Sequence, residues 1–270
     1  MAVIGDHQFP FHDPSAIRTA RAVIKDFDPD HIFNVGDYLD LPDLSTKFTR
    51  SPEFTNQLSM TRKLARECII KDMEAAPRAQ YHWIEGNHEE RLARYVTEKA
   101  PALYELLPNE LSIAGLMGLK ELGVNYVGPY GNHLLFQQGR GAKLMFTHGK
   151  ATAEHAAKTE LLANLENGFS GHVHRQTSYV KEGARRSLGW HTVGTLANTN
   201  GKFTPPDRYK GSPHQRNWQQ GIWLVDYSTT SKLYESYSVR IIDGHKALWG
   251  GKEFRGARGG RKTKRSISTS

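Results

Sequence analysis

Tyr81-His82-Trp83-Ile84-Glu85-Gly86-Asn87-His88-Glu89 runs from an apolar, strand-like stretch into glycine, amide, imidazole and carboxylate, and a helical pattern starts near Glu89. The same unit of strand, polar tip and helix occurs twice upstream. Met1-Ala2-Val3-Ile4 leads to Asp6. A helix follows: Asp13 suits its cap, Pro14 its first position, and Ile17, Ala20, Val23, Ile24 and Phe27 recur at helical spacing. His31-Ile32-Phe33-Asn34-Val35 leads to Gly36-Asp37, then to a polar connection over 40–51 and a long helix over 53–75. Three such units in succession predict parallel α/β winding. In sheets of that kind, ligands gather beyond the carboxyl ends of the strands.

Two more tips lie downstream. Leu144-Met145-Phe146 precedes Thr147-His148-Gly149, and a weaker apolar run near Phe169 precedes Gly171-His172-Val173-His174. Five distant segments are thereby expected to deliver metal-ligand-type side chains to one place. From Tyr126 onward strand-like runs dominate: 133–136, 221–225 and 234–242. No Walker-type glycine loop, no G-x-G-x-x-G after a strand, no paired Cys-x-x-Cys and no G-x-S-x-G elbow competes with this reading.

The order Asp6-His7-Gln8, Gly36-Asp37, Gly86-Asn87-His88-Glu89, His148, Gly171-His172-Val173-His174 resembles the calcineurin-like metallophosphoesterase superfamily, over roughly residues 1–240. Gly-Asn-His-Glu joined to a distal Gly-His-x-His is the specific part. Asn217-Trp218-Gln219-Gln220-Gly221 also resembles a subgroup common in phage genomes. The resemblance implies an α/β fold, a four-layer α/β/β/α sandwich with mixed sheets. The domain is taken over 1–245; the short helices and turns of 101–130 read as a candidate cap, and 246–270, rich in Gly, Arg, Lys and Ser, as a basic flexible tail. The resemblance further implies a hydrolase of phosphate esters using two divalent metal ions, manganese first, with iron, zinc or magnesium as alternatives.

Roles carry over position by position. Asp37 resembles the bridging ligand. Asp6 and His174 resemble ligands of the first metal, and Asn87, His148 and His172 those of the second. His88 is similar to the histidine that contacts the phosphoryl group and protonates the leaving oxygen. This chain departs from the pattern at Gln8, where the family usually has histidine. His7 is a poor substitute, because neighbours in an extended segment point to opposite faces. An amide oxygen at Gln8 can still coordinate, and the expectation is a first metal held more loosely, or one more manganese-like than zinc-like. Asp40 is read as an extra ligand or an orienting group, and Arg91, Arg94 and His155 as candidate substrate contacts. A solvated helix face is the competing account of Arg91, Arg94 and His155. His31, His82, His133, His191, His214 and His245 stand outside any motif and are read as structural.

Composition bounds the rest. The chain's 38% hydrophobic and 24% charged residues are ordinary for a soluble enzyme. No apolar run is long enough for a membrane span, and no secretory signal is visible, so a cytoplasmic setting is expected, the host's if the chain is phage-encoded. Cys68, the single cysteine, falls on a helical stripe with Leu64, Ile69 and Met73 and reads as a buried small side chain. The net charge of +8 is concentrated at the end: residues 251–270 hold Lys252, Arg255, Arg258, Arg261, Lys262, Lys264 and Arg265 against Glu253. Such a run suits DNA or RNA phosphates. Trp218 and Tyr209 among Arg208, Lys210 and Arg216 suit base stacking, with loop anchoring as the alternative. A nuclease or phosphodiesterase is therefore expected first, a phosphomonoesterase second and a non-catalytic binding module third. Oligomeric state is left open.

Overall fold

The structure, a computed structural model, describes residues 1–45, 57–184, 186–199 and 217–256. In chain order the first half comprises β1 (Ala2–Ile4), α1 (Pro14–Phe27), β2 (His31–Asn34), α2 (Leu58–Ala75), β3 (Gln80–Ile84), α3 (Glu90–Lys99), α4 (Ile113–Met117) and β4 (Asn125–Gly128). Then come β5 (His133–Phe136), β6 (Leu144–Thr147), α5 (Ala156–Asn164), β7 (Asn167–Ser170), β8 (Thr177–Glu182), β9 (Ser187–Thr192), β10 (Gly221–Tyr227), β11 (Tyr234–Arg240), β12 (Lys246–Trp249) and β13 (Lys252–Arg255).

Two mixed sheets result. The first has the order β11-β10-β1-β2-β3-β4, with β1 to β4 parallel and β10 and β11 antiparallel. The second has the order β5-β6-β7-β9-β8. Alternation along the strands decides the layering. Ala2, Ile4 and Ile32 turn toward Ala16, Ala20, Ile24, Ala65 and Ile69 of α1 and α2. Val3, Phe33 and Val35 turn the other way, onto Leu144, Phe146 and Phe169 of the second sheet. Phe33 and Phe146 stack across that gap at 3.7 Å between ring centroids. On the far side, Ala157 and Leu161 of α5 cover Met145 and Trp190. The layers are thus helix, sheet, sheet, helix, the α/β/β/α sandwich expected.

Asp13 caps α1 by accepting from the Ser15 and Ala16 amides at 2.9 and 3.2 Å. The long second helix is described from Leu58; its expected start at 53 lies outside the described residues. The candidate cap over 101–130 divides. Ile113, Met117, Leu119 and Val124 join the core beneath α2, and Asn125–Gly128 is the edge strand β4.

The expectation of a flexible tail from 246 is corrected. Residues 246–255 form the hairpin β12–β13, which packs on α1. Ala247, Trp249 and Phe254 supply its apolar face, and Trp249 meets Phe27 edge to face at 5.6 Å. Gly256 donates to Thr19 Oγ1 at 2.9 Å, and Lys252 reaches Asp26 at 2.6 Å. Reading 246–270 as one low-complexity unit hid those three apolar residues. Residues 257–270, with most of the basic charge, lie outside the described residues, as do Arg208, Tyr209, Lys210, His214 and Arg216.

Candidate metal centre

The tips of β1 and β2 stay paired beyond the strands. Asp6 N donates to Gly36 O at 2.9 Å, Gln8 N to Asp37 O at 3.0 Å and Phe9 N to Tyr38 O at 2.8 Å. The Asp6 carbonyl also accepts from Thr195 Oγ1 at 2.6 Å and Leu196 N at 3.1 Å, which ties it to the far sheet. Nine non-glycine residues among those described have positive φ, and five are Asp6, Gln8, Asp37, His172 and His174. That conformation costs free energy for an L residue, and it persists where surrounding contacts over-determine the backbone.

Three glycines of the motifs have a packing reason. A Cβ on Gly86 would lie 2.2 Å from Asp37 Oδ1. One on Gly171 would lie 2.5 Å from Asp6 Oδ2. One on Gly36 would lie 2.5 Å from Gly86 N, at φ +96°. The backbone approaches the carboxylates too closely for any side chain. His88 N donates to Asp37 Oδ1 at 2.9 Å, and His172 N to both Asp6 oxygens at 3.1–3.2 Å.

Asp6 and Asp37 are 0% and 2% exposed. His174 Nε2 lies 3.0 Å from Asp6 Oδ1, and His148 Nε2 lies 3.4 Å from Asp37 Oδ1. His148 Nε2 is also 3.0 Å from Asn87 Oδ1 and 3.2 Å from His172 Nδ1. Ligand atoms of Asp6, Asp37 and His174 lie within 4.8 Å of one another, and so do those of Asp37, His148 and His172. Asp37 is common to both trios. Gln8 also points inward, with Nε2 3.2 Å from Asp37 Oδ2 and 3.4 Å from His174 Nε2. Turning that amide over exchanges nitrogen and oxygen, so it can offer an oxygen to a cation.

Electrostatically the set is short of positive charge. Burial opposes ionisation of Asp37, yet His148 and then His88 hold its pKa well below the usual carboxylate range. Burial likewise opposes a charge on His148, but Asp37 raises its pKa to about 9. Two buried carboxylates with imidazole and amide donors around them are the donor set that borderline divalent cations take. His148 Nδ1 sits 2.8 Å from Val35 O, which fixes the ring and leaves Nε2 facing the cluster.

His88, Asp40 and Arg91 form an adjoining group. Asp40, 4% exposed, contacts His88 Nδ1. Arg91 bonds the Asp40 carbonyl and, at 3.2 Å, its Oδ1. Arg91 Nη2 lies 3.1 Å from His88 Nε2. A guanidinium only donates, so in this arrangement Nε2 accepts, and the proton of a neutral ring is left on Nδ1, the nitrogen in contact with Asp40. Burial opposes protonation of His88, but Asp37 and Asp40 raise its pKa above the ordinary imidazole value.

Glu89 is a residue to which the motif reading assigned no role. It is 1% exposed, and it accepts from Asp37 N at 2.9 Å, Leu39 N at 2.7 Å and Gly86 N at 2.8 Å. One carboxylate thereby clamps the β2 tip to the β3 tip. Burial and the Asp37 charge push its pKa up to about 8, against the pull of the Leu39 and Gly86 amides. Trp218 meets His174 edge-on at 4.2 Å between ring centroids, and Tyr130 meets His148 at 5.8 Å. Arg94 and His155 are not brought in. Arg94 pairs with Glu90 one turn back, and His155 is exposed at the start of α5. His7 points away from the cluster, packing on Tyr38 at 4.2 Å.

Residues 1–176 match the calcineurin-like phosphoesterase family, a span that ends just past His174. The chain is also similar to the Gene 54 protein of Mycobacterium phage L5, 26% identical over 238 residues, covering 83% of this chain and 88% of that protein. The Gene 54 protein of Mycobacterium phage D29 matches with the same identity and coverage.

Proposed function

The chain belongs to the calcineurin-like phosphoesterase family, metal-dependent hydrolases of phosphoric esters, and from that premise we propose a phosphodiesterase or nuclease with a dinuclear centre. The observation that carries this reading is the sharing of Asp37 by two ligand trios. Asp6, Gln8, Asp37 and His174 would hold one divalent ion, and Asp37, Asn87, His148 and His172 the other. Bound there, such ions supply Lewis-acid stabilisation of the phosphoryl oxygens and activate the attacking water. The chain's own groups do the rest. Asp40, in contact with His88 Nδ1, would orient the ring. Arg91 is in reach of His88 Nε2, and its guanidinium fork suits phosphoryl oxygens. When Arg91 transfers to the phosphate, His88 Nε2 is free to hold the proton destined for the leaving oxygen.

Nucleic acid is favoured as substrate by the basic residues at 258–265 and by the half-buried Trp218 ring against His174. Manganese is favoured by the uncharged amide of Gln8. The relatives are phage proteins, and we assign the host cytoplasm as the setting.

The test is turnover, with added manganese, of an aryl monoester, an aryl diester, single-stranded DNA and duplex DNA. Cleavage of the diester and DNA is expected. Monoester-only turnover would make the chain a phosphomonoesterase, and none would leave a binding module. His88→Ala should lower turnover by about 10²–10⁴-fold with the fold intact by circular dichroism, the usual range for a lost general acid.

A further inference from the structure

Behind the first sheet a second polar cluster lies in the layer of α1 and α2, and the proposed hydrolysis makes no use of it. Cys68 and Asp72 sit four residues apart on α2 and share one face of it. His7, from the loop after β1, brings a ring nitrogen to them. A His7 nitrogen, Cys68 Sγ and an Asp72 oxygen all lie within 4.8 Å of one another. The three residues are 1%, 7% and 3% exposed. His7 Nδ1 has no hydrogen-bond partner among the described residues. Such an orphan calls for a water or an ion. Arg21 reaches Asp72 Oδ1 at 2.8 Å and Cys68 Sγ at 3.3 Å, while Asp72 Oδ2 lies 3.8 Å from the sulfur. One guanidinium thus stands against the Asp72 carboxylate and the Cys68 sulfur, the group that becomes an anion on ligation. Burial pushes both the Cys68 thiol and the Asp72 carboxyl up from their ordinary pKa values, against the pull of Arg21.

We propose that His7, Cys68 and Asp72 form a third metal site, for a thiophilic divalent ion such as zinc or cobalt, separate from the dinuclear centre. Imidazole, thiolate and carboxylate are the usual ligands of such ions. On binding, Cys68 loses its thiol proton to solvent and the sulfur donates to the metal. His7 stands between Asp6 and Gln8, so an ion here would fix the backbone that presents both to the hydrolytic centre.

The single cysteine makes the test clean, because a thiolate-to-cobalt absorption band can arise from Cys68 alone. The full chain is stripped with chelator and titrated with cobalt, following near-ultraviolet absorbance and metal content. Wild type should show that band and take up about one equivalent more than Cys68→Ser. Asp72→Asn, which keeps the thiol, should weaken the band and lose the same equivalent. No thiolate band at saturating cobalt, or undiminished uptake by Cys68→Ser, overturns the proposal. The dinuclear reading is scored separately, by the equivalents that Cys68→Ser retains.

Discussion

A methyl group on Gly86 has nowhere to go. Its carbon would sit 2.2 Å from Asp37 Oδ1, which the His88 amide holds at 2.9 Å, and 2.4 Å from the backbone Asp37 N. Gly86→Ala should therefore push the β2 and β3 tips apart, at about 1–3 kcal/mol of stability. Metal affinity should fall with it, because Asp37 belongs to both ligand trios. Thermal melts with and without manganese check both parts; an unchanged melt would mean that the tips are not held as described. At this scale much of the site could be read in the chain. Asp6, Asp37, Asn87, His148, His172 and His174 each follow an apolar run, and strand tips of one sheet system must converge. Gln8 was also legible over His7, since alternation turns neighbours apart. Glu89 was not legible in its role, because its partners are the amides of Asp37, Leu39 and Gly86 and amides leave no mark on sequence. Arg94 and His155 lie outside the cluster: nearness in sequence to a motif does not turn a side chain toward it.

Among the elements, the hairpin β12–β13 changes where the domain ends. It contributes Ala247, Trp249 and Phe254 to the core over α1. A chain cut after Gly244 should melt lower than one cut after Gly256, by roughly 2–4 °C for each kilocalorie lost in a domain of this size. Equal melting temperatures for the two truncations would show that the hairpin stabilises nothing. The pair β8–β9 was also absent from the sequence reading. β8 is an edge strand that buries none of its residues fully, and Gly189 and His191 interrupt the apolar pattern of β9. Strands β1, β2, β3 and β6 were legible because burial on both faces makes them continuous apolar runs.

For the whole molecule, acid stability is predicted to depend on a histidine buried away from the site. His191 is 5% exposed and lies between Ser178 Oγ at 2.8 Å and Ser236 Oγ at 3.2 Å. Burial lowers its pKa to about 4. A histidine whose folded pKa is lowered favours the folded state when neutral. Its contribution is therefore fully present above about 6.5 and is lost as pH falls toward 4, up to about 3 kcal/mol. His191→Gln should flatten that part of the pH–stability curve, and a variant as acid-sensitive as wild type would remove His191 as the cause.

The two sheets bring the five tips to one place, where two ligand trios share Asp37 and, on the proposed reading, would hold two cations. Anomalous diffraction from manganese-soaked crystals measures this directly. Two peaks are predicted, one among Asp6, Gln8 and His174, the other among Asn87, His148 and His172, with Asp37 touching both. No peak in the cluster, or a single peak that leaves one trio empty at saturating manganese, would contradict the account.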